Sequence, residues 1–133
     1  MAFVVDSSVT VAWCVGSQAT AVSRRLSNRA EREAVHAPAL WPFEFVNALW
    51  SLERRRSLRA HQVDGAISRA ERIGITVHGE PVVLRELLDL ARRLELAVYD
   101  VSYLALAQRL GLPLASLDTD QLAAARRIGI ATL

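Results

Sequence analysis

Four short runs of β-branched and small apolar residues recur along the chain, and helix-type sequence separates them. This alternation limits the accessible folds more than any other feature. AFVV closes at Asp6, EAVHAP centres on Val35, ITVHG begins at Ile75 and LPLASL closes at Asp118. Short apolar runs alternating with helical periodicity predict strand–helix units around a parallel sheet. The expected architecture is a three-layer α/β/α domain with a central, mainly parallel sheet of about four to five short strands. IATL at the C-terminal end would supply the last, as an edge strand. The 133 residues suit one domain, 1–133, with a real core, and no repeat or linker interrupts them.

The helices follow from capping residues and spacing. Ser7 and Ser8 can start a first helix, and Gln18 to Asn28 reads as a polar second one. A long helix runs from Pro38 to about Arg56, or else opens near Pro42 after a turn at 38–41. His61 to Ile73 is closed by Gly74. Pro81 to Glu95 carries the stripe Val83, Leu84, Leu87, Leu88 and Ala91. Two further helices run from Tyr99 or Asp100 to Leu110 and from Thr119 to Ile128, stopped by Gly111 and Gly129.

Four carboxylates stand in apolar surroundings: Asp6, Glu44 in LWPFEFVNALW, Asp100 in LAVYDVSYLALA, and Asp118. An ionised carboxylate is costly in an apolar setting unless something positive compensates it. Asp6 and Asp118 both fall at the C-terminal end of a strand just before a helix, where open parallel sheets bind ligands. Both positions, and that of Asp100 at a helix start, also suit plain N-caps. Glu44 shares a small, polar helical face with Asn47, Ala48 and Ser51, which looks either into a site or into solvent. A shared divalent cation would account for all four acids together, and oxygen-only ligands favour Mg²⁺ or Mn²⁺. Without a cation the acids should repel one another and raise at least one pKa.

Composition removes several alternatives. All sixteen basic residues are arginine, and the chain has no lysine. That excludes a Walker A loop and a Schiff-base enzyme, and it argues against a phosphoaspartate phosphatase or receiver-like domain built on Asp6. Without the four acids, ten acidic residues face sixteen arginines. A small acidic pocket in a basic surface suits a polyanion handled through metal ions. Cys14, the only cysteine, excludes an intrachain disulfide and reads as a small buried residue. No run is long enough for a membrane span, and MAFVVDSSV has no basic leader, so the expected location is cytoplasmic.

VVDSSV, PFEFVNAL, YDVSYLALA and ASLDTD, in this order and spacing, resemble the PIN-domain nucleases, and among them the VapC-type toxins of bacterial toxin–antitoxin pairs. The resemblance spans essentially the whole chain. It implies that Asp6, Glu44, Asp100 and Asp118 are the metal-site and catalytic acids. Ser116 would be the hydroxyl that orients a first-strand carboxylate, with Asp120 a further, variable metal-site position and Asn47 a supporting residue. The implied activity is Mg²⁺- or Mn²⁺-dependent endoribonuclease chemistry on an RNA substrate. The implied partners are a second copy, as a homodimer, and a cognate antitoxin. The rival expectation is a non-catalytic RNA- or antitoxin-binding module of the same fold.

Three features stand outside that pattern. His36, His61 and His78 lie away from the acidic motifs and read as incidental to them. ERRRSLR, Arg92–Arg93 and Arg126–Arg127 are solvated helix ends or phosphate contacts. Trp13, Trp41 and Trp50 belong to the core, or in part to an interface.

Overall fold

The computed structural model describes residues 1–80 and 82–133. Strands β1 (Ala2–Val5), β2 (Ala34–Pro38), β3 (Thr76–His78) and β4 (Leu114–Ala115) form one sheet in the order β3-β2-β1-β4. Every pairing is parallel, with Phe3 opposite Val35, His36 opposite Thr76, and Val5 opposite Ala115. The expected fifth strand contracts to a single parallel bridge between Thr132 and Leu114.

Among the described residues, seven α-helices connect and cover the strands: α1 (Ser7–Cys14), α2 (Ala21–Ala30), α3 (Trp41–Arg54), α4 (Ala60–Ile73), α5 (Leu84–Leu94), α6 (Val98–Leu110) and α7 (Thr119–Arg127). Successive strand side chains point to opposite faces. Accordingly, Phe3 and Val5 join Val9, Leu26, Val35 and Ala115 in one buried cluster, while Val4 joins a larger one with Phe45, Leu49, Leu104 and Leu114. Both sheet faces are covered, which explains why the strands read as continuous apolar runs.

Several boundaries differ from the sequence expectation for local reasons. Thr20 and Ser23 form a reciprocal capping box, so α2 begins at Ala21, and a single 3₁₀ turn occupies Gly16–Gln18. Pro38 ends β2, and the long helix opens at Trp41 with Pro42 in its first turn, where a missing N–H costs nothing. Helix α6 begins at Val98, so Asp100 lies inside its first turn and Ala97 is the N-cap. Gly74 and Gly111 end α4 and α6 at φ 72° and 65°, left-handed conformations that glycine adopts without a Cβ penalty.

The opening expected for α5 at Pro81 lies outside the described residues. Its expected stripe is only partly internal. Leu87, Leu90 and Ala91 are half-buried and Leu94 is buried, whereas Val83, Leu84 (79% exposed) and Leu88 face outward. Helix α5 leans chiefly on α6, so one flank is covered and the other is not. Trp41 is buried and stacked on Phe45, while Trp50 is half exposed and lies beside the Arg54 guanidinium.

Candidate functional site

The strand order reverses at β1. From it the chain steps outward through β2 to β3, then returns to β1's other side as β4. In open parallel sheets such a reversal leaves a crevice outside the C-terminal strand ends. Asp6 follows β1 there and Asp118 follows β4 by three residues. Both are N-caps: Asp6 Oδ1 accepts the Val9 N–H at 3.2 Å, and Asp118 Oδ1 accepts those of Asp120 and Gln121 at 2.9 and 3.3 Å. The capping and site readings are therefore compatible. Glu44 and Asp100 occupy the first turns of α3 and α6. All four acids thus sit at helix N-termini, where the backbone dipole favours negative charge.

Asp6 is 4% exposed and is held on every side. Ser8 Oγ donates to its Oδ1 at 2.6 Å, and Ser116 Oγ donates to its Oδ2 at 2.5 Å. Burial pushes the Asp6 carboxyl above the usual carboxylate range, these hydrogen bonds oppose the rise, and the charge of Asp118 adds to it. Asp100 is also raised, by burial first and then by the charges of Asp118 and Glu44. The mutual repulsion expected of apposed carboxylates is present. Among the described residues, none of the four acids is ion-paired with an arginine.

Glu44 is fixed by a residue that the sequence motifs do not single out. Tyr103 is 1% exposed, and its hydroxyl donates to Glu44 Oε1 at 2.6 Å. Burial, this hydrogen bond and the negative charges of Glu44 and Asp6 push the phenol well above its ordinary range, so it keeps its proton. Tyr103 lies one turn beyond Asp100 on α6 and links the starts of α6 and α3; that i, i+3 spacing was the available signal. Gln121 is a second such residue. Its Nε2 donates to the Asp100 carbonyl at 3.0 Å, and its Oε1 faces Ser116 Oγ at 3.2 Å. It occupies the third position of α7, where a capping-box Glu or Gln is common.

Ser116 also accepts the Asp118 N–H at 2.9 Å, so one hydroxyl joins the β1 and β4 acids. Asn47 lies one turn beyond Glu44, but it is exposed and makes no side-chain hydrogen bond among the described residues. Asp120 is exposed on the first turn of α7, and only its backbone N–H is engaged with the acids, through Asp118. Cys14 is buried, and burial pushes its thiol up to about 11, which leaves it inert.

The donor set is all oxygen and uncompensated, which fits a hard divalent cation. Among the described residues, no three acidic, histidine or cysteine side chains are grouped closely enough to enclose an ion. The acids therefore fit an ion that keeps much of its water, as Mg²⁺ does, better than one needing a closed cage.

The chain matches the family model of the PIN domain over residues 3–127, and it belongs to that family. A protein named Ribonuclease VapC3 from Pyrobaculum aerophilum is 30% identical over 120 residues, covering 89% of this chain and 90% of the relative. Another of that name, from Mycobacterium tuberculosis, is 35% identical over 117 residues, covering 86% and 81%. The fold is shared with the crystal structure of PAE2754 from Pyrobaculum aerophilum at a TM-score of 0.71 and 24% identity, over 99% of this chain and 89% of that one. It is shared also with that of FitAcB from Neisseria gonorrhoeae at 0.66 and 18% identity, over 100% and 96%.

Proposed function

We propose that this chain is a divalent-metal-dependent endoribonuclease of the VapC type, acting as the toxin of a toxin–antitoxin pair. The observation that carries the reading is that Asp6, Glu44, Asp100 and Asp118 all stand at helix starts and act on one another through their charges in pairs, with Asp6 and Asp100 raised and, among the described residues, no arginine ion-paired with any of them. The names of the two relatives support RNA as the substrate class.

Asp6, Asp100, Glu44 and Asp118 would hold Mg²⁺ or Mn²⁺, and Asp120 is assigned a lesser, outer share in the same site. When bound, such an ion supplies Lewis acidity at a phosphoryl oxygen and lowers the pKa of a nucleophilic water. The protein's own contribution is positioning. Ser116 and Ser8 fix the Asp6 carboxylate by its two separate oxygens, and Tyr103 keeps its proton on Oη and orients Glu44. Gln121 ties the start of α6, and with it Asp100, to α7. Asn47 is assigned support of the same polar face. Both the hydroxyl and the amide groups act through the carboxylates and need no contact with RNA.

The proposed partners are RNA, an antitoxin and a second copy of the chain. Phe43, Val46 and Trp50 form an exposed apolar stripe on α3, which supports protein contact on that face. The rival reading is a PIN-fold module that binds RNA or an antitoxin without cleaving. Incubating purified protein with a mixed pool of structured RNAs, in Mg²⁺, Mn²⁺ or EDTA, separates the two. Discrete products that require metal and are lost in Asp6→Asn and Asp100→Asn support the nuclease. No cleavage by the folded protein across the pool supports the binding module.

A further inference from the structure

Strand β3 is a short, exposed edge of the sheet. It has three residues, lies at an edge with only β2 as a strand neighbour, and leaves Thr76 and Val77 exposed. Short edge strands of this kind open at low free-energy cost. One side-chain contact reinforces it. His36 on β2 and His78 on β3 point to the same sheet face, with His36 Nδ1 and His78 Nε2 2.9 Å apart and ring centroids 5.1 Å apart. His78 Nδ1 lies 3.5 Å from the Glu80 carboxylate, which Arg109 of α6 approaches at 3.4 Å. His78 and Glu80 line a groove of about 780 Å³ between the sheet edge, α5 and α6.

The facing nitrogens set a rule for protons. With one proton between them, one nitrogen donates and the other accepts, and the contact is a hydrogen bond. An additional proton on His78 is accommodated, because Nδ1–H can face Glu80. With both rings fully protonated, two N–H groups and two positive charges confront each other at 2.9 Å, and the rings must part.

We propose that the His36–His78 pair is a proton-counting lock on β3, closed while at most one imidazole is charged and opened when both are. Its release frees the sheet-edge wall of the groove in mildly acidic solution. The charges that face the pair are few. Glu80 stays ionised through this range, since its own backbone N–H and then Arg109 hold its carboxyl below the ordinary value. Arg109 opposes a second proton. Glu86, Asp89 and Arg93 of α5 line the far side of the groove. His36 is flanked in the sheet by Val4 and Thr76, which carry no charge. Burial and the neighbouring His78 hold His36 below the ordinary histidine range, as the lock requires.

The test is an NMR titration of the imidazole C–H resonances of the full chain from pH 8 to 5, assigned with His36→Asn, His78→Asn and His61→Asn. It is paired with amide-exchange protection factors for Thr76–His78 at each pH. The lock requires His36 and His78 to titrate in two steps separated by about one pH unit or more. Protection of β3 should fall about tenfold across the second step, and His36→Asn should abolish that fall. Both histidines titrating together with His61, or β3 protection that is flat with pH in the wild-type chain, overturns the proposal. If His36→Asn does not fold, the wild-type titration and His78→Gln decide it.

Discussion

Ser116 Oγ lies 2.5 Å from Asp6 Oδ2, although 110 residues separate them. That hydrogen bond ties the C-terminal end of the central strand β1 to that of its neighbour β4 and fixes the buried carboxylate between them. It also opposes the rise in the Asp6 pKa that burial imposes. Removing the hydroxyl in Ser116→Ala should therefore raise the Asp6 pKa further and shift the acid limb of RNA cleavage to higher pH. Loss of a buried bond to a charged group should also destabilise the neutral-pH fold by about 1.5–3 kcal/mol. A pH–rate profile and urea unfolding at pH 7 measure the two effects.

Asp6→Asn should separate stability from activity. A carboxyl whose folded pKa is raised is favoured in its protonated form. Its contribution is fully present below the unfolded value, here 3.8, and is lost as pH rises through the folded one. At pH 7 the metal-free protein therefore carries the cost of an ionised Asp6, and Asn, itself a good N-cap, relieves it. The variant should lose cleavage and melt at an equal or higher temperature than the wild type in EDTA. A clear fall in melting temperature would assign Asp6 a purely structural role.

Asp118 and Glu44 both raise Asp100 through their charges. Asp118→Asn should lower the Asp100 pKa, and Glu44→Gln should do the same. Carboxyl ¹³C titration of the metal-free protein reads this directly. An Asp100 midpoint unmoved in both variants would mean that burial alone sets it.

Tyr103→Phe removes one oxygen atom while keeping the ring that fills the core. Glu44 loses its donor, so the expected result is a folded protein with cleavage reduced about tenfold and stability lower by about 0.5–1.5 kcal/mol. Near-ultraviolet circular dichroism establishes the fold, and initial rates at saturating Mg²⁺ establish the loss. Full activity would show that Glu44 needs no fixed orientation.

Mg²⁺ should stabilise the wild type and not the variants that lack its ligands. At a concentration 100-fold above its dissociation constant, a ligand specific for the folded state adds about 2.7 kcal/mol. Thermal unfolding in EDTA and in a Mg²⁺ series should show an upward shift for the wild type that is much reduced in Asp100→Asn. Equal shifts in both would place the ion elsewhere.

The alternation of strands and helices was legible because β1, β4 and most of β2 are buried on both faces and so read as short apolar runs. The acids were legible because apolar neighbours made them conspicuous. What escaped was set by contacts between distant residues. Tyr103 reads as one more apolar residue in VSYLALA, and only the approach of α3 gives its hydroxyl a partner 59 residues away. His36 and His78 are 42 residues apart and carry no motif; their meeting depends on the parallel register of β2 and β3. The stripe of α5 was visible as a pattern, but periodicity does not say which flank a neighbour covers. Asp100 was visible and suited an N-cap, since Asp is common there, but the helix opens two residues earlier, at Val98.

All four acids sit at helix starts, where the first backbone N–H groups lack partners within the helix. At Asp6 and Asp118 the carboxylates that would hold a cation also complete a helix through their Oδ1 atoms. A ligand that takes hold of these acids should therefore register in the first turns of α1 and α7, at the amides of Val9, Asp120 and Gln121. The crevice can be monitored from its scaffold, with no label on any ligand.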